Sequence, residues 1–489
     1  MPDFSGFVGP SYVAASIYQD DQECINWYPE TDPEKFSGAK ATGQPEERGV
    51  TALYPTPGLV VEASLSAAAE VRALWTLPGG QALLAVCGDT LYLLDSMFNA
   101  TAVGTLTTNA GQVSMTDNGI AAMLVDGPNR YAYAYGIGTF VQIPLADGAF
   151  VGGSKVDIID NFLVYNNPNT QQAGNTNVGA TASGATNLFS ADSAPDNLTS
   201  LIVCNRDLNL ICESHTEVWL DAGLFPVPFQ RLSGASMQHG TKAPFSVARL
   251  GESYAMLSND TRGFGVVIMM KGYVPLRIST HAVETAIAGY AVTTDAIAYS
   301  YQQGGHEFYV LTFPTADVTW CFDLATNLWH KRAYRDSNNV LHRHRSNCCA
   351  SFQGKIIVGD FQNGKLYSFS QTTYTDAGAT IPCIRRAPHL TSDLKQQFVH
   401  DLQIQFQPGV GLQSGQGSDP QAMLEWSDDG GSTWSNQHWT SIGKVGKYKN
   451  RAIWRRLGTA RDRVFQVTVT DPVNRVVISA NLNATAGAH

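Results

Sequence analysis

The chain has 489 residues, a soft expectation of about three domains of ~150 residues each, fewer if one is a large β domain. Its 44% hydrophobic content supplies a sizeable core and argues against disorder, while 15% charged residues and 45 glycines suit turn-rich, all-β architecture. With 32 basic against 42 acidic residues and no long Lys/Arg run, the sequence argues against sequence-specific or tight DNA binding, yet permits a weakly acidic wall that DNA slides past.

In chain order, the N-terminus MPDFSGFVGPSYVAASIYQDDQE has neither the basic nor the apolar region of a signal peptide. The longest aliphatic run, Val266 to Met270, is far too short to span a membrane, and production and assembly in the cytoplasm are expected. From about Leu83 to Ser370 one form recurs: an apolar alternating run, a tight polar turn, then a second run with an aromatic residue. ALLAVCGDTLYLLD (Ala82 to Asp95) turns at Gly88-Asp89, and KIIVGDFQNGKLYSFS (Lys355 to Ser370) carries Asn363-Gly364, a type I′ hairpin signal. Units starting at 82, 120, 156, 201, 246, 297 and 348 are spaced by 36 to 51 residues, near the ~40 to 50 of propeller blades. Unrelated hairpins in a large sandwich are the alternative source of that spacing. His281 to Ala288, with Ser279 or Thr280 as N-cap, is the best helix candidate and is expected to link two blades.

The polar stretch over 166–200 is too long for an ordinary connection and is expected as a projecting loop that orders in an assembly. After Leu390, DLQIQFQPGVG, AMLEWSDDGGSTW and RVFQVTVTDPVNRVVISANL read as a second β module. The expected fold is therefore all-β with little helix. A segment over 1–60 packs on neighbours or on the propeller, a β-propeller-like domain of roughly six or seven blade-like units fills 61–390, and a β-sandwich-like module fills 391–489.

SDDGGSTW matches the Asp-box hairpin of glycan-processing propellers through Ser427, Asp429, Gly431, Thr433 and Trp434. There the aspartate caps turn amides, the glycines allow positive φ and the Trp packs beneath, so a structural role is expected. No arginine cluster or Tyr-Glu pair is nominated beside it. Asp20-Asp21 and Asp428-Asp429 are adjacent on extended chain and point to opposite faces, which disfavours an acid and base flanking one bond. His342 and His344, near Cys348 and Cys349, fall on one side of a strand, but no CxxC or HExxH completes a metal set. The eight cysteines are expected as buried free thiols. With no GxSxG, Walker or GxGxxG motif, no catalytic, cofactor or metal residues are nominated, and the chain is expected not to be an enzyme.

Several segments, in order, resemble the packaged-DNA stabilisation, or tail hub and nozzle, proteins of short-tailed bacteriophages. They are ECINWYPE (Glu23 to Glu30), YPTPGL, VCGDTLY, VSMTDNG with MLVDG, FSADSAPDNL, EVWLDAG with FPVPF, LRISTHAVETAI, GHEFYVLTFPTADVTW, GDFQNGKLY, SDDGGSTW and RRLGTARDRVFQV. FPVPF and the stretch after Asn166 run longer than in many relatives. The resemblance implies a hexameric ring in the virion tail, below the portal and its adaptor ring and above tail fibre, spike or needle components. It would close the DNA exit channel, stabilise packaged DNA and conduct it during ejection without sequence specificity. A tail-borne carbohydrate-binding or glycan-hydrolysing propeller is the competing reading. Trp27, Tyr28 and Pro29 are candidate interface or inter-domain anchors, since aromatics bury much area at low entropic cost; simple packing on the first blade is the alternative.

Overall fold

Strands with apolar residues on both faces need a neighbour on each side, and a closed ring of small sheets supplies it. The computed structural model describes residues 2–18, 20–31, 50–144, 150, 152–259, 265–392 and 395–487. Seven four-stranded antiparallel blades cover 71–105, 114–142, 156–190, 198–231, 248–277, 297–335 and, for the last, 346–370 together with Gly58–Ser64. The first strand of each blade lies innermost, against its counterparts in the next blades. Seven hydrophobic clusters fill the seven spaces between neighbouring blades. Alternation then sorts side chains between two cores: Leu83, Ala85 and Cys87 face blade seven, whereas Leu84 and Val86 face blade two.

The ring closes by borrowing. Gly58–Ser64 precedes the first blade yet pairs antiparallel with Lys365–Ser370, with Leu366 opposite Ala63 and Ser370 opposite Gly58. Where blade seven meets blade one, a Cβ on Gly359 would lie 2.4 Å from Val71 Cγ1, so only glycine fits that approach.

Of the seven expected unit starts, 156 and 297 coincide with inner strands, whereas 82 and 120 fall at second strands. The inner strand Ser114–Asp117 is short and polar at three of its four positions, which hides it from a hydrophobic scan. The Asn363-Gly364 hairpin is wider than a two-residue turn: pairing stops at Gly359 and Leu366, and of the two residues only Gly364 has positive φ, at 67°. The helix is His281–Ala288, capped by Thr280, which accepts from Val283 N, and it joins blades five and six.

Residues 166–200 correct an expectation. This stretch is not a projecting loop, because Gln172–Asn175 and Leu188–Ser190 are the outer strands of blade three. Buried Asn166 explains why the apolar pattern fails here. Its Oδ1 accepts from Ser154 N, Ser154 Oγ and Lys155 N, so an amide does structural work that elsewhere falls to an aliphatic side chain.

The last part is two packed sheets. One contains Trp27–Thr31, Val50–Pro55, Val477–Ala486, Gln397–Phe406 and Ala452–Arg455; the other contains Glu23–Ile25, Cys383–Arg386, Asp462–Val469, Gln421–Ser427 and His438–Ser441. Trp27, Leu402, Ile404, Phe465 and Val467 lie in the core between them. Two boundaries differ from expectation: Cys383–Arg386 already belongs to this module before 391, and the 1–60 segment contributes strands to both sheets and to blade seven. Long-range strand pairing decides both boundaries, and no local pattern announces it.

Asn26 sits where the two parts join. It is 1% exposed with φ at 56°. Its Nδ2 donates to Ala333 O at 2.8 Å and Pro382 O at 2.7 Å, and its Oδ1 accepts from Ala333 N at 3.0 Å. Asn26→Ala leaves these groups unpaired, at ~1–3 kcal/mol each, and adds a left-handed backbone cost of ~1–2 kcal/mol. Asn26→Ala is expected to destabilise by about 4 kcal/mol or more in urea unfolding followed by tryptophan fluorescence, and Asn26→Gly by about 1 kcal/mol less. Equal losses would show that the backbone conformation contributes nothing.

Candidate functional site

The Trp27-Tyr28-Pro29 segment straddles the joint between propeller and sandwich. Strand alternation sends Trp27, 0% exposed, into the sandwich core, where its Nε1 donates to Arg475 O at 3.0 Å. Tyr28 points the other way, with ring centroids 5.9 Å from Tyr54, 5.3 Å from His306 and 5.5 Å from Phe308. Trp27 is thus buried within its own chain, and the segment packs on blade six rather than on the first blade. A groove of about 370 Å³ opens beside it, lined by Tyr28, Glu30, Tyr54, His306, Phe308 and Gln371.

The electrostatic centre of this groove is His306. Its Nδ1 lies 2.8 Å from Asp323 Oδ2 and its Nε2 2.9 Å from Glu30 Oε2, so a protonated ring donates at both ends. The Asp323 hydrogen bond raises its pKa, burial opposes, and the charges of Asp323 and Glu30 add to the rise. Nearby His330 is driven the opposite way by burial and by the Arg332 charge. The Arg332 guanidinium is stacked 5.3 Å from Tyr301, 5.1 Å from Phe308 and 5.9 Å from Phe369.

The inner strands enclose an axial cavity of about 310 Å³ lined by Arg72, Trp75, Lys155, Arg249, Tyr299 and Cys348 among others. Its cations are engaged. Arg72 donates to the carbonyls of Gly88, Thr108, Ala110 and Gly111, and Arg249 pairs with Asp157 at 3.1 Å. Lys155 lies 4.8 Å from the Phe245 ring, and burial pushes its pKa down to about 8.

The Asp-box residues are brought together as one hairpin. Ser427 Oγ donates to Asp429 Oδ1 at 2.6 Å, Gly431 N donates to Ser427 Oγ at 2.7 Å, and Thr433 donates to Asp429 through N at 2.8 Å and Oγ1 at 2.7 Å. Gly431 has φ at 102°, and Trp434 Nε1 donates back to its carbonyl at 3.1 Å. Those donors hold the Asp429 carboxyl down at about 2. Asp428 turns away to take Arg463 at 2.6 and 2.7 Å. The other acidic pair is also divided, Asp21 accepting from Arg386 at 3.0 Å and Asp20 from His389 N at 3.0 Å.

His342 and His344 do not share a centre. His342 Nδ1 lies 2.6 Å from Asp317, while buried His344 bonds Ser346 at 2.6 Å and is pushed down to about 3 by burial and by Arg332 and Arg345. All eight cysteines are free thiols, five buried and three half-buried. No described helix is long and apolar enough to cross a membrane. Sequence reasoning missed Asn26, His306 and the buried arginines; the one legible signal was an Asn, tolerant of positive φ, inside ECINWYPE.

Two predictions follow from these hydrogen bonds. Because the folded pKa of His306 is raised, its stabilisation is complete below the ordinary histidine value and is lost as pH rises through the raised value. His306→Gln should therefore lower the melting temperature most at mildly acid pH, with the gap to the parent closing toward alkaline pH. A gap that is constant or widens would mean a neutral ring. Separately, Asp429→Ala should accelerate amide hydrogen exchange over 427–434 while leaving the blades protected; exchange spreading into the propeller would show a role beyond the hairpin.

Comparison with known proteins follows the same division. The family model described as "Bacteriophage P22 Gp10, beta-propeller" matches residues 48–374, and that described as "Bacteriophage P22 Gp10, beta-sandwich" matches residues 383–485. No curated protein matches the chain. Similar solved structures include the WD40 β-propeller domain of Doa1, at 12% identity and TM-score 0.39, covering 64% of this chain and 97% of that one. The N-terminal domain of Nup159 follows at 11% and 0.38, covering 64% and 95%. The extracellular domain of the putative one component system BT4673 from B. thetaiotaomicron is 11% identical at TM-score 0.43, with 78% of this chain but only 47% of that one covered. The two family matches meet at the joint between the closed ring of blades and the two packed sheets, and the chain belongs to the bacteriophage P22 Gp10 family of phage structural proteins.

Proposed function

We propose that this chain is the ring-forming hub and nozzle of a phage tail, a structural and non-enzymatic virion component assembled in the host cytoplasm. Six copies stand below the portal and its adaptor ring, close the DNA exit channel after packaging, and conduct the genome at ejection. Fibre, spike or needle components dock below. The observation that carries this reading is the family match to both parts of the chain, in order.

Physical features support it. The axial cavity of about 310 Å³ would hold on the order of ten waters at ~30 Å³ each, far too little for a duplex. DNA therefore passes through the centre of a ring of copies, not along a propeller axis. A net charge of −10 gives such a channel little grip on phosphate, which favours sliding. We read 71–370 with Gly58–Ser64 as the propeller and 383–487 with the N-terminal strands as the sandwich. Within that division the Asp-box hairpin is a structural element and Trp27, Tyr28 and Pro29 anchor one part to the other.

The test is DNA retention in particles lacking this protein. Heads that package and then leak, on tails ending at the adaptor, are expected. Heads that stay full, with only attachment or glycan cleavage lost, would overturn the reading and make the propeller a receptor-binding or enzymatic module.

A further inference from the structure

Blade four holds a group of side chains that the tail role does not use. Asp196 precedes the strand Leu198–Cys204, Cys212 ends the strand Asp207–Cys212, and His215 stands in the turn before Thr216–Asp221. One ligand atom from each of Asp196, Cys212 and His215 lies within 4.8 Å of the others. Cys212 is 0% and His215 5% exposed, so these are interior groups.

The local structure aims them. Cys212 N donates to His215 O at 2.8 Å, which closes the turn and places thiol and imidazole together. Ser214 donates to Asp196 Oδ2 through both N and Oγ, at 2.7 Å each, leaving Oδ1 facing the ring. His215 Nδ1 is 2.7 Å from that Oδ1, yet neither ring nitrogen nor the Oδ1 has an aligned hydrogen-bond partner among the described residues. Nε2 is 3.7 Å from Glu217 Oε1, and Glu217 is already taken by Ser193 N and Trp219 Nε1 at 2.8 Å each. Asp196 and His215 thus form a close, largely buried ion pair without an aligned hydrogen bond, and a thiol converging on that pair requires an explanation.

A cation provides it. Sulfur, imidazole nitrogen and carboxylate oxygen are the donor set of a borderline-soft divalent ion. We propose that Asp196, Cys212 and His215 bind one zinc-class cation that clamps the connection between blades three and four to the turn at 212–216, with Glu217 as a neighbouring counter-charge. Burial, reinforced by the negative charges of Asp196, Glu217 and Glu213, holds the Cys212 thiol protonated in the absence of a cation. Binding therefore forms the sulfur–metal and nitrogen–metal bonds and releases to solvent the thiol proton and, from an imidazolium, the proton of the coordinating ring nitrogen, with no change of oxidation state.

The experiment uses the full chain, stripped with chelator and titrated with cobalt(II), then with zinc. About one cobalt per chain, with an intense near-ultraviolet thiolate-to-cobalt band that zinc abolishes, is expected. In Cys212→Ser the band should vanish and retained zinc should drop. Failure to bind cobalt, binding without a thiolate band, or equal zinc retention by Cys212→Ser would each overturn the proposal. The cluster would then be an imidazolium held between Asp196 and Glu217. Should Cys212→Ser fail to fold, the spectrum of the parent chain decides alone. The proposal stands apart from the tail role and is tested without virions.

Discussion

A three-residue strand decides how this molecule is put together. Ile25 pairs in parallel with Lys331 on one side and antiparallel with Ile384 on the other, so Glu23–Ile25 continues blade six directly into the sandwich as one sheet of eleven strands. The next residue, Asn26, locks the crossing with hydrogen bonds to both parts, and the two after it divide, Trp27 into the sandwich and Tyr28 onto blade six. Arg385 fixes the preceding segment. Its fully buried guanidinium donates to the carbonyls of Gly6, Phe7, Pro10 and Glu23, and burial, opposed in part by the Asp20 charge, pushes its pKa down to about 10. A joint made of ladder bonds, a buried amide and a multi-donor arginine does not behave as a linker.

That joint imposes an order on folding. Neither part is complete from its own contiguous sequence: blade seven waits for Gly58–Ser64, and Val50–Pro55 pairs with the far C-terminal Val477–Ala486. Loop closures of this length are costly and slow compared with hairpins. Contact order favours the blades between, each a meander of neighbouring strands, forming from local pairings before the N-terminal strands close ring and sandwich. The eight thiols, five of them buried and all free, need no oxidation step in that sequence.

What the sequence disclosed, and what it hid, follows from range. Hairpins with a turn residue and two apolar faces were legible: the ALLAVCGDTLYLLD unit and the Thr280-capped helix lie where pattern put them. Blade three was lost because Asn166, Gln172 and Asn175 fill positions where a periodicity scan looks for aliphatic residues: Asn166 accepts from Ser154, Gln172 accepts from Asn167, and Asn175 donates to the Thr176 carbonyl. The boundary at 391 and the independence of 1–60 failed because a strand such as Glu23–Ile25 carries no local mark of its partner hundreds of residues away. His306 between Asp323 and Glu30, and Cys212 beside Asp196 and His215, are likewise invisible in one dimension. His306 joins residues from separate strands, and although Cys212 and His215 lie three positions apart, Asp196 reaches them only in the fold.

The stiff joint has a consequence for any ring built from this chain. Heterologous contacts close into a cycle only if the rotation from one copy to the next divides the full circle, so an angular error within a subunit is multiplied by the number of copies. A propeller and a sandwich on a flexible tether would tolerate many rotations and could run on into an open helix. Here the angle between the two parts is set by a continuous sheet and by Asn26, whose hydrogen bonds to both sides cannot be made at a different angle without leaving buried groups unpaired. The polar groups at the joint thus act less as a source of stability than as a gauge of orientation. A buried amide bonded to both parts suits that task better than a purely apolar contact, which slides at little cost.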